Sequence, residues 1–294
     1  MSQVWLITGS SRGLGRELSK AVLAAGHRLV ATARKPEELR ELVSQYGERV
    51  RAVALDVTDP AAARAAVASA TAAFGRLDVV VNNAGYANVS SIEDVAEDDF
   101  RAQFETNFFG VMHVTRAALP VLRAQGSGHI IQISSIGGRL GSPGMGSYQS
   151  AKWAVEGFSE VLSKEVGPLG IHVTIAEPGG MRTDWAGASM RIDAISDAYK
   201  PTVGMFMERV RKSSDGMQGD PAKAARAILQ IASEKQPPLR LLLGSDAVFL
   251  AGIVAAQRAE EDARWKTLSK STDYDGLVDF AETPVARMMV PKRS

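Results

Sequence analysis

Apolar residues in the first two-thirds of the chain form short, nearly continuous runs between longer Ala- and Leu-rich stretches flanked by charge. The runs lie at residues 4–8, 28–33, 51–55, 79–82, 129–134 and 172–177, and a last one follows at 239–243. Continuous β-branched runs of this kind suit strands buried on both faces. The stretches near 14–25, 36–46, 60–74, 98–124, 148–167 and 221–234 read as helices. Asp59-Pro60 marks one helix start, the aspartate as N-cap and the proline at the first helical position. Gly75, Gly126 and Gly167 fall where helices should stop. The alternation predicts right-handed βαβ units: an α/β fold whose single doubly wound parallel sheet has about seven strands, with helices on both faces.

Residues 1–243 read as one domain. Within it, residues 180–220 are rich in Met, Gly and Ser without a strand period, which fits a substrate loop or lid, or a segment without fixed structure. Residues 244–294 read as a helical C-terminal extension packed on the same domain. Its apolar Val248, Phe249, Ile253 and Val254 would cover either a substrate pocket or a partner subunit.

Composition narrows the chemistry. The 294 residues are 45% hydrophobic and 23% charged, enough for one well-cored globular domain. A net charge of +1 gives no global field to recruit nucleic acid or an anionic membrane, so neither is an expected partner. With no cysteine there is no disulfide, thiolate metal site or cysteine nucleophile. The four histidines, His27, His113, His129 and His172, lack metal-ligand spacing, which argues against a zinc enzyme. The N-terminal apolar run has no basic leader, and the run at 247–256 is too short to span a bilayer, so a cytoplasmic protein is expected.

The first strand leads into Thr8-Gly9-Ser10-Ser11-Arg12-Gly13-Leu14-Gly15 and then a helix. A sharp strand-to-helix turn needs glycine, and a pyrophosphate needs close backbone approach and the N–H donors of a helix N-terminus. Farther on, Tyr148-Gln149-Ser150-Ala151-Lys152 puts a phenol and an ammonium on one face of a helix. A nearby cation favours phenolate, so Lys152 is expected to lower the pKa of Tyr148. Ser135 ends a strand thirteen residues before the tyrosine, and ligands of parallel sheets bind beyond the carboxyl ends of strands.

The Gly-x-x-x-Gly-x-Gly loop, Asn82-Asn83-Ala84-Gly85, Ser135 and Tyr-x-x-x-Lys together resemble the short-chain dehydrogenase/reductase superfamily, classical type. The likeness covers about the first 240 residues. It implies a Rossmann-type fold and an oxidoreductase that interconverts a carbonyl (ketone or aldehyde) and an alcohol by hydride exchange with a nicotinamide cofactor. It also implies the catalytic set Asn107, Ser135, Tyr148 and Lys152. In that set Ser135 and Tyr148 hold the carbonyl oxygen, and Tyr148 is the general acid and base. Lys152 bonds the cofactor ribose, and Asn107 interrupts a long helix and holds a water that links the lysine to solvent. Other implied cofactor contacts are Thr8, Gly9, Ser11, Arg12, Gly13, Leu14 and Gly15 at the phosphates and Asp56-Val57 at the adenine. Asn83, Ala84 and Gly85 would wall the adenosine side, Tyr148 and Lys152 would meet the ribose, and Pro178, Gly179 and Thr183 would line the nicotinamide.

After the second strand an NAD enzyme usually carries a carboxylate for the ribose 2′-hydroxyl. Here the sequence reads Ala33-Arg34-Lys35, with no acid until Glu37. Arg34, with Arg12 in the glycine loop, suits a 2′-phosphate, although both would also pass as solvated surface charges. NADP(H) is the expected cofactor and NAD(H) the alternative. The loop at 137–146, with Tyr86, Trp185 and Met190, is mostly apolar and would face a small to bulky hydrophobic substrate or pack as core. Residues 135–138 and 154–160 resemble members acting on steroid, retinoid or other bulky ketones. Alternatives are a β-ketoacyl-carrier reductase and a protein that senses NADP(H) without turnover. Helices at 101–124 and 148–167, with Phe108, Met112, Trp153 and Phe158, resemble those through which relatives form a homodimer or homotetramer.

Overall fold

The computed structural model describes residues 2–182, 190–212 and 218–289, except the side chains of Met190, Arg211 and Lys212. Two compact units emerge, Met1–Ala251 and Gly252–Ser294. The first contains strands β1 (Val4–Ile7), β2 (Arg28–Ala33), β3 (Val50–Ala54), β4 (Val79–Asn82), β5 (Ala87–Val89), β6 (Gly128–Ile133), β7 (Ile171–Pro178), β8 (Met190–Ile192) and β9 (Arg240–Leu243). Helices α1 (Gly13–Ala24), α2 (Arg40–Tyr46), α3 (Pro60–Phe74), α4 (Glu97–Phe104), α5 (Gly110–Gln125) and α6 (Gly146–Val166) connect the strands through β7. Helices α7 (Met205–Lys212) and α8 (Pro221–Ile231) follow, and α9 (Ser245–Lys270) begins in this unit. The second unit holds the rest of α9, a turn at Phe280–Glu282 and α10 (Pro284–Met289). There Lys270 pairs with Asp279, whose carboxylate also accepts from Ala281 N at 3.1 Å.

Seven strands pair in parallel in the order β3-β2-β1-β4-β6-β7-β9. This is the doubly wound sheet that the apolar runs predict. Alternate strand residues feed two cores. Trp5, Ile7, Leu29, Ala31, Val79, Val81 and Ile131 face the side covered by α1 and α8, while Val4, Leu6, Val30, Val80 and Ile130 face α3, α5 and α6. Both faces are thus dry, which is why the strands read as continuous apolar runs. The strand order reverses between β1 and β4, and the crevice beyond their carboxyl ends is where such folds bind ligands.

Helix punctuation follows the sequence, and α6 stops at Gly167 as expected. Asp59 Oδ1 accepts from Ala61 N at 2.7 Å, and Gly75 and Gly126 end their helices left-handed, at φ +76° and +65°. Gly167 stays right-handed at φ −53°. Pro168 carries the chain through one more tight turn, Gly167–Leu169, and Gly170 makes the reversal at φ +77°. A side chain on Gly170 would strike the Gly126 carbonyl.

Two segments depart from their expected form. The single helix expected over 98–124 is α4 and α5 joined by a wide π turn, Glu105–Phe109. The 180–220 segment includes β8, which pairs in parallel with β5, and α7. Three residues are too few to show a period. Carboxylates of the β5–α4 loop and of α4 tether this segment: Tyr199 donates to Glu93 at 2.7 Å, Ser196 Oγ donates to Asp94 at 2.9 Å, and Arg191 pairs with Asp99. Among the described residues no helix is long and apolar enough to cross a membrane.

At the far edge of the sheet, buried His129 stands opposite His172. The Thr174 hydroxyl donates to the Pro238 carbonyl at 2.8 Å, so His129 Nε2–H donates to Thr174 Oγ1, at 2.9 Å. Burial, helped by His172, pushes the imidazole down to about 3. A ring that must stay neutral contributes stability above its unfolded pKa of about 6.5 and loses it as pH falls toward the folded value. Between pH 6.5 and 5 the loss is about 2 kcal/mol. Urea unfolding at the two pH values should show that extra loss in the wild type and not in His129→Gln. Equal losses in both proteins would disprove the assignment.

Candidate active site

The glycine loop is a backbone knot at the switch point. Gly9 and Gly13 hold φ +68° and +54°. A side chain on Gly15 would collide with the Gly9 carbonyl and the Asn83 amide, so helix α1 can begin there only with glycine. Thr8 Oγ1 accepts from Asn83 N and Ala84 N, both at 2.9 Å, while Asn83 Nδ2 donates to the Thr8 and Gly9 carbonyls at 2.9 and 3.1 Å. Ser10 is spent inside the knot on Ile7 O and Thr32 N, and Ser11 is left half-buried on the loop surface. No side chain caps α1, and Arg12 at its N-cap is exposed. Arg12, Gly13, Arg16 and Arg182 line a depression beside the start of α8. Uncapped helix N–H groups beside cationic side chains fit a phosphate.

The adenine and ribose candidates sit farther along the same edge. Asp56 is exposed, and its Oδ1 accepts from Thr58 N and Oγ1 at 3.0 and 2.8 Å. Val57 is buried against Gly110, and its carbonyl meets His113 Nδ1 at 3.2 Å. Arg34 is exposed past β2, and neither its side chain nor that of Arg12 makes a hydrogen bond or ion pair among the described residues.

Beyond β4 and β6 the four tetrad candidates converge. A Cβ on Gly85 would stand 2.6 Å from Asn107 Oδ1 and 3.7 Å from Lys152 Nζ, so the three positions meet. Asn107 lies in the π turn, fully buried. Its Nδ2 donates to Tyr86 O at 2.9 Å and Gln103 O at 3.1 Å, and its Oδ1 accepts from Tyr86 N at 3.3 Å. Lys152 Nζ donates to Ile133 O at 2.8 Å and lies 5.7 Å from the Tyr148 ring centroid. Ser135 caps the turn Ile136–Gly138 by accepting from Gly137 N at 3.0 Å, and it is also hydrogen-bonded to Tyr148.

Burial governs the ionisation of this group. It pushes Tyr148 up to about 12, and the Ser135 bond pulls weakly the other way. It pushes Lys152 down to about 8, against the attraction of Glu156. The expected lowering of the tyrosine by its lysine is therefore overturned for the protein alone, because desolvation of the phenolate outweighs the cation.

Several partners carry no motif of their own. Glu177, fully buried at the end of β7, takes a bidentate pair from Arg139, both bonds 2.6 Å. Asp246 Oδ2 accepts from Gly180 N at 2.7 Å, and a side chain on Gly179 would strike the same carboxylate. Gly179 itself donates to Leu243 O at 2.9 Å, fixing the Pro178-Gly179 turn. Gln103 accepts from Asn107 Nδ2 at 3.1 Å. An apolar cluster of Ala87, Val89, Met145, Val203 and Met207 packs on Tyr148. Thr183 and Trp185 lie outside the described residues, as does the Met190 side chain.

The short chain dehydrogenase family model matches residues 3–191. The chain belongs to that family. Oxidoreductase BOA17 of Botryotinia fuckeliana (strain B05.10) is 54% identical over 270 residues, 92% of this chain and 98% of that protein. The crystal structure of a short-chain dehydrogenase from Streptomyces avermitilis superposes with a TM-score of 0.87 at 40% identity, covering 93% of this chain and 99% of that one. An alcohol dehydrogenase from the archaeon Thermococcus sibiricus, complexed with 5-hydroxy-NADP, matches with a TM-score of 0.68 at 25% identity over 83% of this chain and 96% of that one. This short-chain dehydrogenase is thus an oxidoreductase acting on CH–OH donors, among neighbours that bind nicotinamide nucleotides.

The packing at Gly15 makes a direct prediction. Gly15→Ala should destabilise the fold by about 1–3 kcal/mol, the usual cost of overpacking. Urea unfolding measures it, and unchanged stability would show that the loop yields.

Proposed function

We propose that this enzyme interconverts a ketone or aldehyde and an alcohol with NADP(H), using Tyr148 as general acid and base. The observation that carries the reading is the meeting of Ser135, Tyr148 and Lys152 beyond the carboxyl end of β6. With its pKa near 12, Tyr148 keeps its proton at neutral pH, the form that protonates an alkoxide developing from a carbonyl. Half-buried Ser135 supports the same oxygen. The Lys152 ammonium then stabilises the phenolate left behind, so the cation acts after proton transfer. Asn107, its side chain bonded to Tyr86 and Gln103, would hold the water that links Lys152 to solvent.

Bound in this site, the nicotinamide cofactor supplies or accepts the hydride. The loop from Thr8 to Gly15 would hold its pyrophosphate, Asp56 and Val57 the adenine, and Asn83 to Gly85 the adenosine side. Tyr148 and Lys152 would hold the ribose, with Pro178, Gly179 and Thr183 beside the nicotinamide. Arg12 and Arg34 support the preference for a 2′-phosphate, because exposed guanidiniums without a partner among the described residues can pair with it bidentately. The apolar cluster around Tyr148 favours a hydrophobic substrate. Trp153 and Val161 are 44% and 56% exposed on α6, and with α5 they suit a homodimer or homotetramer face.

NADPH oxidation across a panel of aldehydes, diketones, steroids and quinones tests the activity. Tyr148→Phe should cut turnover by at least about 100-fold, the scale of general acid catalysis, with cofactor affinity kept. Near-wild-type turnover would remove Tyr148 from the acid role. Arg34→Ala should weaken NADPH binding by about tenfold or more while NADH changes by less than about twofold. Equal losses would refute the 2′-phosphate assignment.

A further inference from the structure

Helix α6 buries three ionisable side chains at four-residue steps, Tyr148, Lys152 and Glu156. Glu156 has no place in the hydride-transfer chemistry, yet burying it needs a reason, because an isolated buried carboxylate is costly. It sits in a network of charges behind the catalytic serine. Arg240 of β9 donates from Nε to Glu156 at 3.0 Å and from Nη2 to half-buried Glu160 at 2.9 Å. Glu177 of β7 repels Glu156 and is itself neutralised by Arg139 from the loop after β6. A side chain on Gly138 would touch both Ser134 Oγ and Glu156 Oε1, which puts the carboxylate directly under the turn that carries Ser135. Among the described residues Lys152 makes no ion pair; its ammonium donates to the Ile133 carbonyl, and Glu156, a helical turn away, is the carboxylate that acts on it.

We propose that Glu156 is a positioning residue whose carboxylate, held ionised by Arg240, keeps Lys152 cationic in the active site. Dry surroundings drive both side chains toward neutrality, to about 8 for the lysine and about 7 for the glutamate. The carboxylate of Glu156 favours the charged lysine, and Arg240 favours the charged carboxylate. Arg240 sets the balance from the opposite side, and Arg139 keeps Glu177 from repelling Glu156 into its protonated form. The inference rests on the Tyr148–Lys152 reading for its consequence, and the charge coupling itself is measurable without turnover.

In cofactor-free protein carrying ¹³C-labelled lysine, the ε-carbon of Lys152 can be titrated by NMR after assignment with Lys152→Met. Glu156→Gln should lower its midpoint by about one pH unit, the smaller end of the effect of an opposite charge. Arg240→Gln leaves Glu156 to take up a proton, so it should move the midpoint the same way, and it decides the matter if Glu156→Gln does not fold. Glu160→Gln removes the other carboxylate on Arg240 and should leave Lys152 unmoved. An unchanged or raised midpoint in Glu156→Gln and Arg240→Gln overturns the proposal, as does an equal shift in Glu160→Gln. With NADPH and a turned-over carbonyl, the alkaline limb of kcat should move to lower pH by the same amount while KM stays within about twofold. A limb that stays in place while the lysine titration shifts would disprove the catalytic consequence alone.

Discussion

The reciprocal bonding between Thr8 and Asn83 is the interaction on which the rest of the site depends. One hydroxyl takes two backbone N–H groups of the β4 loop, and one side-chain amide returns two bonds to carbonyls of the β1 loop. Backbone at the edge of a sheet would otherwise be left unpaired next to a crevice that must stay open. Because the loops satisfy each other, α1 can start with its own N–H groups uncapped. The knot also fixes Gly85, and through it the spacing of Asn107 and Lys152, so phosphate end and proton-transfer end share one rigid frame.

The second constraint is dryness. Tyr148 and Lys152 are buried to 7% and 4% exposure, and both are pushed toward their neutral forms. For the reduction proposed above the two effects would have opposite value. A tyrosine that keeps its proton is ready to give it up, whereas a lysine losing its charge would be a poorer stabiliser of the phenolate that remains. The charges of Arg139, Glu177, Glu156 and Arg240 lie on the lysine's side of this problem. Buried ion pairs are weak contributors to stability in their own right. Their position beside the inner face of α6 at Glu156 suits electrostatic control better than it suits holding the fold together.

Much of this was legible in the residues. Apolar runs located every strand of the main sheet, because burial on both faces leaves only a few polar positions within them, such as His129, Gln132 and Thr174. The glycine loop, Asn83, Ser135, Tyr148 and Lys152 were legible because each motif requires a local backbone geometry or a fixed helical spacing. What escaped was set by contacts distant in sequence. Arg139 and Glu177 lie 38 residues apart, and Arg240 and Glu156 lie 84 apart, so no local pattern announces either pair. The pairing of β5 with β8 joins segments about a hundred residues apart and takes only three residues from each. The helix stop at Gly167 was legible, but not the further tight turn through Pro168, a tertiary fit settled by Gly170 against Gly126. The direction of the Tyr148 shift escaped for a related reason: helical spacing reports that a cation is near, and only the packed structure reports how much water has gone.

Tyr148 is where these constraints meet. One side of it is polar and rigid, through Ser135 and the sheet edge. The other is the apolar cluster of Met145, Val203 and Met207, part of it from the segment tethered by Glu93, Asp94 and Asp99. The tethers are exposed and easily remade in water, whereas the Ser135 and Lys152 contacts are enclosed and costly to break. On the proposed reading, substrate shape is met by the adaptable side and proton transfer by the rigid one. The rigid side is built from local motifs, whose spacing a single sequence displays, whereas the adaptable side is assembled from segments about a hundred residues apart.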